Sequence, residues 1–410
     1  MSDTQFDVVV FGATSFVGQI LCAYLFERHG SEDGLRWAMA GRSQAKLEAV
    51  RAALGDGADG IELMVADAAD ESALRDLCAW TRVVISTVGP YALYGSPLVK
   101  TCVDAGTDYV DLTGEVQWIH RMIATHEADA QKSGARILHS CGFDSIPSDL
   151  GVHFHQRIAK ERFGEPATQI RMQVARIKGG ASGGTVASII NIAREMSRDA
   201  SLRKILSDPY SLVIDGKARV RQPNIKTPQR DPQTGAWLGP FVMAAVNTRI
   251  VHRSNALSGY AYGEDFLYDE SMRMGRGFKG GVTATAFTSG LGAFMLGAAL
   301  PPSRWLMENY LLPKPGEGPS PDQQRSGMYD LRFYGTTAGG QQLVTRVMGD
   351  RDPGYGSTAK ILGEAGACLA QDISRTDPGG GFWTPATALG DALLARLEQH
   401  AGLTFEVVDP

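Results

Sequence analysis

Apolar and polar positions alternate along the first third of the chain in blocks of two kinds. Short, nearly unbroken apolar runs, such as Phe6-Asp7-Val8-Val9-Val10-Phe11 and Val83-Val84-Ile85-Ser86-Thr87-Val88, read as strands buried on both faces. Between them lie stretches of helical period. The order is strand 6–11, helix 19–27, strand 35–40, a helix from about residue 45, strand 61–67, helix 72–80, strand 83–88, helix 97–105, strand 109–112, helix 116–131 and strand 136–140. This rhythm predicts an α/β architecture. A doubly wound parallel sheet of Rossmann type occupies residues 1–150, with ligands beyond the carboxyl ends of its strands.

After about Gly151 the rhythm weakens. Residues 151–410 are expected to form a second α/β (α+β) domain that closes over the substrate, with C-terminal helices packing back on the first domain. Residues 169–177 alternate with period two, as a strand with one wet face does. Residues 329–335 and 341–349 read as an antiparallel pair. Helices are expected over 186–197, 357–371 and 385–399, the last opened by Thr384 as N-cap and Pro385 in the first turn. The proline-containing stretches 223–239 and 313–327 read as loops. Residues 280–303 carry no formal charge. They are long enough to cross a bilayer, yet they hold five glycines and end in Pro301-Pro302. An apolar lid, or a surface in peripheral contact with lipid, is the reading adopted.

The chemistry begins at the first strand's end. Gly12-Ala13-Thr14-Ser15-Phe16-Val17-Gly18 joins strand to helix as a pyrophosphate cradle does: the glycines admit close approach and the helix N-terminus points its N–H groups at an anion. Ser15 stands where the usual fingerprint has a second glycine, and its hydroxyl could donate to a phosphate. After strand two an NAD site wants an acidic residue for the ribose 2′-OH. Here Arg42 stands instead, with Ser43 and Lys46 close by. A guanidinium suits the 2′-phosphate of NADP. Asp67 is placed at the adenine edge, and Val88, Gly89 and Pro90 line the cofactor beyond strand four.

Composition narrows the class. At 410 residues there is room for two domains, and a net charge of −5 does not favour nucleic acid. Five scattered cysteines without a C-x-x-C pair suggest neither a disulfide framework nor a metal site. The first strand begins at once, without a basic leader, so the cytoplasm is expected, with membrane association through 280–303. A homodimer stays open.

Further segments carry a resemblance: Ala40-Gly41-Arg42-Ser43, Gly89-Pro90-Tyr91-Ala92-Leu93-Tyr94-Gly95, residues 108–115 (DYVDLTGE), residues 142–149 (GFDSIPSD), residues 314–319 (KPGEGP), residues 354–359 (GYGSTA) and Thr384-Pro385-Ala386. Together with the glycine turn they resemble the saccharopine dehydrogenase-like oxidoreductases, closest to the trans-acting enoyl reductases. The resemblance implies a Rossmann NADP domain and a second domain closing over the nicotinamide. For mycobacterial members it implies reduction of a C=C bond in a polyketide-derived lipid.

Such a reduction needs a donor to polarise a carbonyl and an acid to protonate carbon. Tyr94, Tyr91, His139 and Asp144 are the candidates. Each has a plainer alternative: the tyrosines pack between domains, His139 ends a strand bonded to backbone, and Asp144 belongs to a helix entry. Asp111 and Glu115 are read as binding loop amides, and Cys141 as a packing residue. Two other functions remain open. One is C–N oxidoreduction of an amino-acid adduct, which would need arginines such as Arg171, Arg176, Arg249 and Arg253 to converge. The other is a dinucleotide-binding lipid-surface protein without turnover.

Overall fold

The computed structural model describes residues 4–31, 34–179, 183–199, 201–214, 217, 219–307 and 318–408. The loop expected over 313–327 therefore lies partly outside the described residues.

Two sheets of seven described strands each organise the chain. The strands are β1 (Phe6–Phe11), β2 (Trp37–Gly41), β3 (Glu62–Val65), β4 (Thr81–Ser86), β5 (Asp108–Asp111), β6 (Arg136–Leu138), β7 (Ala167–Lys178), β8 (Gln229–Arg230), β9 (Ala236–Pro240), β10 (Leu267–Arg276), β11 (Met328–Thr337), β12 (Gln342–Gly349), β13 (Gly381–Trp383) and β14 (Leu403–Val408). The first sheet is wholly parallel, in the order β13-β6-β5-β4-β1-β2-β3. This is a Rossmann order with a seventh strand added from the far end of the chain. The apolar runs explain it: Val8, Val9, Val10, Val83, Val84 and Ile85 are buried with helices on both sides.

The second sheet runs β14-β12-β11-β7-β10-β9-β8. Only the β7–β10 pair is parallel. Its inner face carries the helix Ile146–Phe163, which touches β7, β11 and β12. The approach is close at Gly151, where a Cβ would lie 2.3 Å from the Phe333 ring.

Several boundaries depart from the sequence reading. Residue 150 falls inside the helix Ile146–Phe163. The helix Thr358–Gln371 lies against β1, β4 and β5, and β13 extends the first sheet, so the dinucleotide half is built from both ends of the chain. Residues 223–239, expected as loop, contain the small edge ladder β8–β9. The helix expected over 385–399 breaks at Gly390, whose φ is +42°. The uncharged stretch is the helix Gly277–Ala299, lying along β9 and β10.

Candidate active site

Parallel register sets the site. Phe11 pairs with Ala40 and Ser86, Ser86 with Asp111, and Val110 with Leu138. The loops after β1, β2, β4, β5 and β6 therefore leave from one edge of the sheet, where ligands of such sheets bind.

The glycine turn is held from β4. Gly12 has φ +91°, and a Cβ there would come within 2.7 Å of both Thr87 Oγ1 and Val88 Cγ2. A Cβ on Gly18 would lie 2.2 Å from the Gly12 carbonyl oxygen. Thr87 donates its hydroxyl to that oxygen at 2.9 Å, and its N–H to Phe11 O at 2.9 Å. Thr87 was read only as strand. The available signal was a polar Ser86-Thr87 pair ending an apolar run. Ser15 serves as the N-cap of the helix Phe16–His29: its Oγ accepts from Gly18 N at 2.9 Å and lies 2.9 Å from Thr87 Oγ1. Its hydroxyl is thus already engaged within the turn. Phe16 sits edge-on to Tyr355, with ring centroids 4.7 Å apart, so this side chain packs beneath the C-terminal segment. Thr14 and Val17 remain partly open at the turn.

Beyond β2, Arg42 and Lys46 are exposed and make no ion pair among the described residues. Ser43 caps the helix Gln44–Leu54 through Lys46 N, at 3.4 Å. Asp67 is exposed beyond the edge strand β3 and accepts from Ala69 N at 2.9 Å, the geometry of a turn. An anion-seeking cradle bordered by two free cations fits a phosphorylated dinucleotide. Gly12, Gly18, Arg42 and Lys46 would hold its phosphates.

The loops after β5 and β6 are tied through Asp111, which is fully buried. Its carboxylate accepts from Thr113 N and Ser140 N at 3.0 Å, from the Tyr109 phenol at 3.0 Å, and lies 2.7 Å from His139 Nδ1. Glu115 accepts from Tyr91 N at 2.8 Å, Ala92 N at 3.0 Å and Ser188 Oγ at 3.0 Å. Burial raises its carboxyl despite these donors. Both acids bind loop amides.

Two candidate acids lose their place. His139 is 4% exposed and packed among the rings of Tyr109, Trp118 and Phe382, with Asp111 on one nitrogen. It serves the scaffold. Tyr91 is equally enclosed: its hydroxyl donates to Ser86 O at 2.9 Å, and burial holds the phenol well above its usual range. Cys141 is also buried, and its thiol is pushed up.

Tyr94 and Asp144 remain. Tyr94, at the end of the short helix Tyr91–Tyr94, is 50% exposed. Asp144, on the loop after β6, faces Gly114 and Met243: a Cβ on Gly114 would lie 4.0 Å from its Oδ2 and 3.8 Å from Met243 Cε. It keeps some solvent contact, although protein atoms crowd it, and it has no hydrogen-bond partner among the described residues. Desolvation pushes its carboxyl up to about 7. The next residue is anchored by a buried network. Ser145 Oγ donates to Asn247 Oδ1 at 3.0 Å, and Asn247 Nδ2 donates to Ser148 Oγ at 3.1 Å and to Glu270 Oε2 at 2.9 Å. Asn247 and Glu270 were not singled out, because nothing in a single sequence brings them to residue 145.

Comparison with known proteins agrees with this geometry. Residues 8–138 match the saccharopine dehydrogenase NADP binding domain. The chain is 41% identical over 407 residues to the trans-acting enoyl reductase of Mycobacterium ulcerans (strain Agy99), covering 96% of each. It is 40% identical over 409 residues to the trans-acting enoyl reductase of Mycobacterium tuberculosis (strain ATCC 25618 / H37Rv), covering 97% of this chain and 96% of that one. Among solved structures, apo saccharopine dehydrogenase (L-Glu forming) from Saccharomyces cerevisiae shares the fold, with a TM-score of 0.55 at 15% identity over 98% of this chain and 99% of that one. With its glycine cradle, its basic β2 end and relatives matched along nearly the whole length, the chain belongs to the saccharopine dehydrogenase-like NADP-dependent oxidoreductases, in their trans-acting enoyl reductase branch.

Proposed function

We propose that the chain reduces the C=C bond of an apolar α,β-unsaturated acyl substrate, of lipid or polyketide type, with NADPH as reductant. The observation that carries this reading is Asp144, a carboxyl with no hydrogen-bond partner among the described residues, pushed up to about 7 by desolvation at the same sheet edge as the glycine turn. The reduced nicotinamide, when bound, supplies the hydride that such a bond accepts at its β-carbon. The chain must then protonate the α-carbon and hold the carbonyl oxygen. A carboxyl poised near neutral pH carries its proton in a useful fraction and releases it readily, so Asp144 is assigned the proton. Tyr94, half exposed on the segment that follows β4 at the same sheet edge, is assigned the carbonyl. Arg42 and Lys46 favour NADPH over NADH.

The amino-acid reading finds less support. Arg171 pairs with Asp231 at 2.5 Å, Arg253 donates to the carbonyls of Leu212 and Phe382, Arg249 donates to Leu206 O, and Arg176 is exposed at the end of β7. These four do not converge on one carboxylate site.

The test is NADPH consumption against two panels. Trans-2-enoyl thioesters of increasing chain length should be reduced, the longer ones better. Consumption only with a 2-oxo acid plus an amine, or with neither panel by a protein that binds NADPH, would overturn the assignment.

A further inference from the structure

The helix Gly277–Ala299 is long and apolar enough to cross a membrane, yet little of it is buried. At 1.5 Å per residue it is about 34 Å long. Its root is fixed to the second sheet. A Cβ on Gly280 would lie 2.6 Å from the Gly275 backbone, and one on Gly281 would lie 3.1 Å from the Trp237 ring. Those contacts keep the helix lying along β9 and β10 rather than standing away from them. Phe278, Val282 and Leu296 fall within roughly 40° of one another around a helix of 3.6 residues per turn and face outward as one stripe, which exposed Leu300 continues just past the helix end. Phe278 is 86% exposed and Leu296 is 63% exposed. Beside the stripe, Trp237, Phe278 and Val282 line an apolar groove of about 530 Å³.

Charge decides what meets this face. Residues 271–307 contain Arg273, Arg276, Lys279 and Arg304 and no Asp or Glu, in a chain whose net charge is −5. Arg273 is used internally, donating to Gln173 and Tyr334. Arg276 and Lys279 are exposed at the start of the stripe and make no ion pair among the described residues. A second copy docking stripe to stripe would bring cations and no carboxylate from this segment. An anionic bilayer offers hydrocarbon to the stripe and phosphates to the two cations.

We infer that Gly277–Ala299 is an interfacial membrane-docking helix, lying in the headgroup layer of an anionic bilayer with the Phe278–Leu300 stripe in the acyl region and Arg276 and Lys279 on lipid phosphates. This holds whatever the cleft reduces. For an apolar acyl substrate it brings the enzyme to the phase in which that substrate dissolves.

Flotation of the full chain with vesicles tests it, with NADPH binding as the check that each protein is folded. Wild type should float with mixed phosphatidylcholine–phosphatidylglycerol vesicles, weakly with phosphatidylcholine alone, and lose binding as salt is raised. Arg276→Glu with Lys279→Glu should weaken anionic-vesicle binding by at least about 25-fold, taking about five-fold for each cation. Val282→Glu with Leu296→Glu should abolish flotation, and both double variants should still bind NADPH. Two results would overturn the inference: wild type that binds NADPH yet floats with neither vesicle, or a dimer in light scattering that vesicles leave intact and Leu296→Glu splits.

Discussion

Replacing Asp144 by Asn removes one buried charge and keeps the shape. The carboxyl is raised from 3.8 to about 7 by desolvation. Each pKa unit corresponds to 1.36 kcal/mol, so ionising it in the folded chain costs roughly 4 kcal/mol more than in the unfolded one. The group keeps some solvent contact, and about half of that, ~2 kcal/mol, is the better figure. Below about pH 4 the acid is neutral in both states and contributes nothing. Between about pH 4 and 7 the folded chain binds its proton more tightly, so stability falls as pH rises; above that window the penalty is constant. Asn is never ionised. Asp144→Asn should therefore match wild type at low pH and exceed it by ~2 kcal/mol near pH 8, a gain of a few degrees in Tm. Asp149, Asp269 and Glu270 are also raised, but they are common to both proteins and cancel in the difference. The same variant should lose about 100-fold or more in turnover and leave NADPH affinity unchanged. The decline of wild-type activity as pH rises through about 7 should be missing from what remains. A stability difference that is flat with pH, or unchanged turnover, would refute the reasoning.

Four further outcomes are expected. Arg42→Ala should weaken NADPH by roughly 10- to 100-fold, the worth of a charge-assisted hydrogen bond, and leave NADH nearly unaffected; equal losses in parallel titrations would remove its 2′-phosphate role. Gly12→Ala places a methyl 2.7 Å from Thr87 and Val88 at φ +91°, and should cost at least about 1–2 kcal/mol of backbone strain, lowering both Tm and NADPH affinity in calorimetry. Asp111→Ala strands a phenol, an imidazole and two amides, at about 1–3 kcal/mol for each group left unpaired, so thermal melts should show a loss of many degrees or no folded protein at all. Tyr94→Phe should lower turnover on enoyl thioesters without changing NADPH affinity, and unchanged turnover would free Tyr94 from the carbonyl role.

What could be read from the sequence follows from what each element buries. β1 and β4 are covered on both faces, and their apolar runs say so directly. The helix Ala244–Leu257 shows no such signal: Asn247, Arg249, His252, Arg253 and Ser254 are all buried in it, and several are satisfied by carbonyls and side chains of distant segments. Its pattern looks polar although the helix is interior. β13 has only three residues, too few for any period. In the site, the tight turn at Gly12 was legible because local backbone geometry defines it. Tyr91 and His139 looked as chemical as Asp144. Only tertiary packing separates them, by enclosing the first two and leaving the Asp144 carboxyl without a hydrogen-bond partner among the described residues.

The return of Thr358–Gln371 and β13 to the first sheet bears on how the molecule is made. Ile361, Leu362 and Leu369 press their fully buried side chains into the cofactor half, and Arg136 of β6 donates to Leu369 O and Ser374 O. A nascent chain that has emerged only to residue 150 still lacks the layer that dries one face of β1, β4 and β5. The nucleotide fold should thus reach completion on the ribosome only after Trp383 has emerged, and fragments cut short before it should be prey to proteolysis rather than working dinucleotide binders.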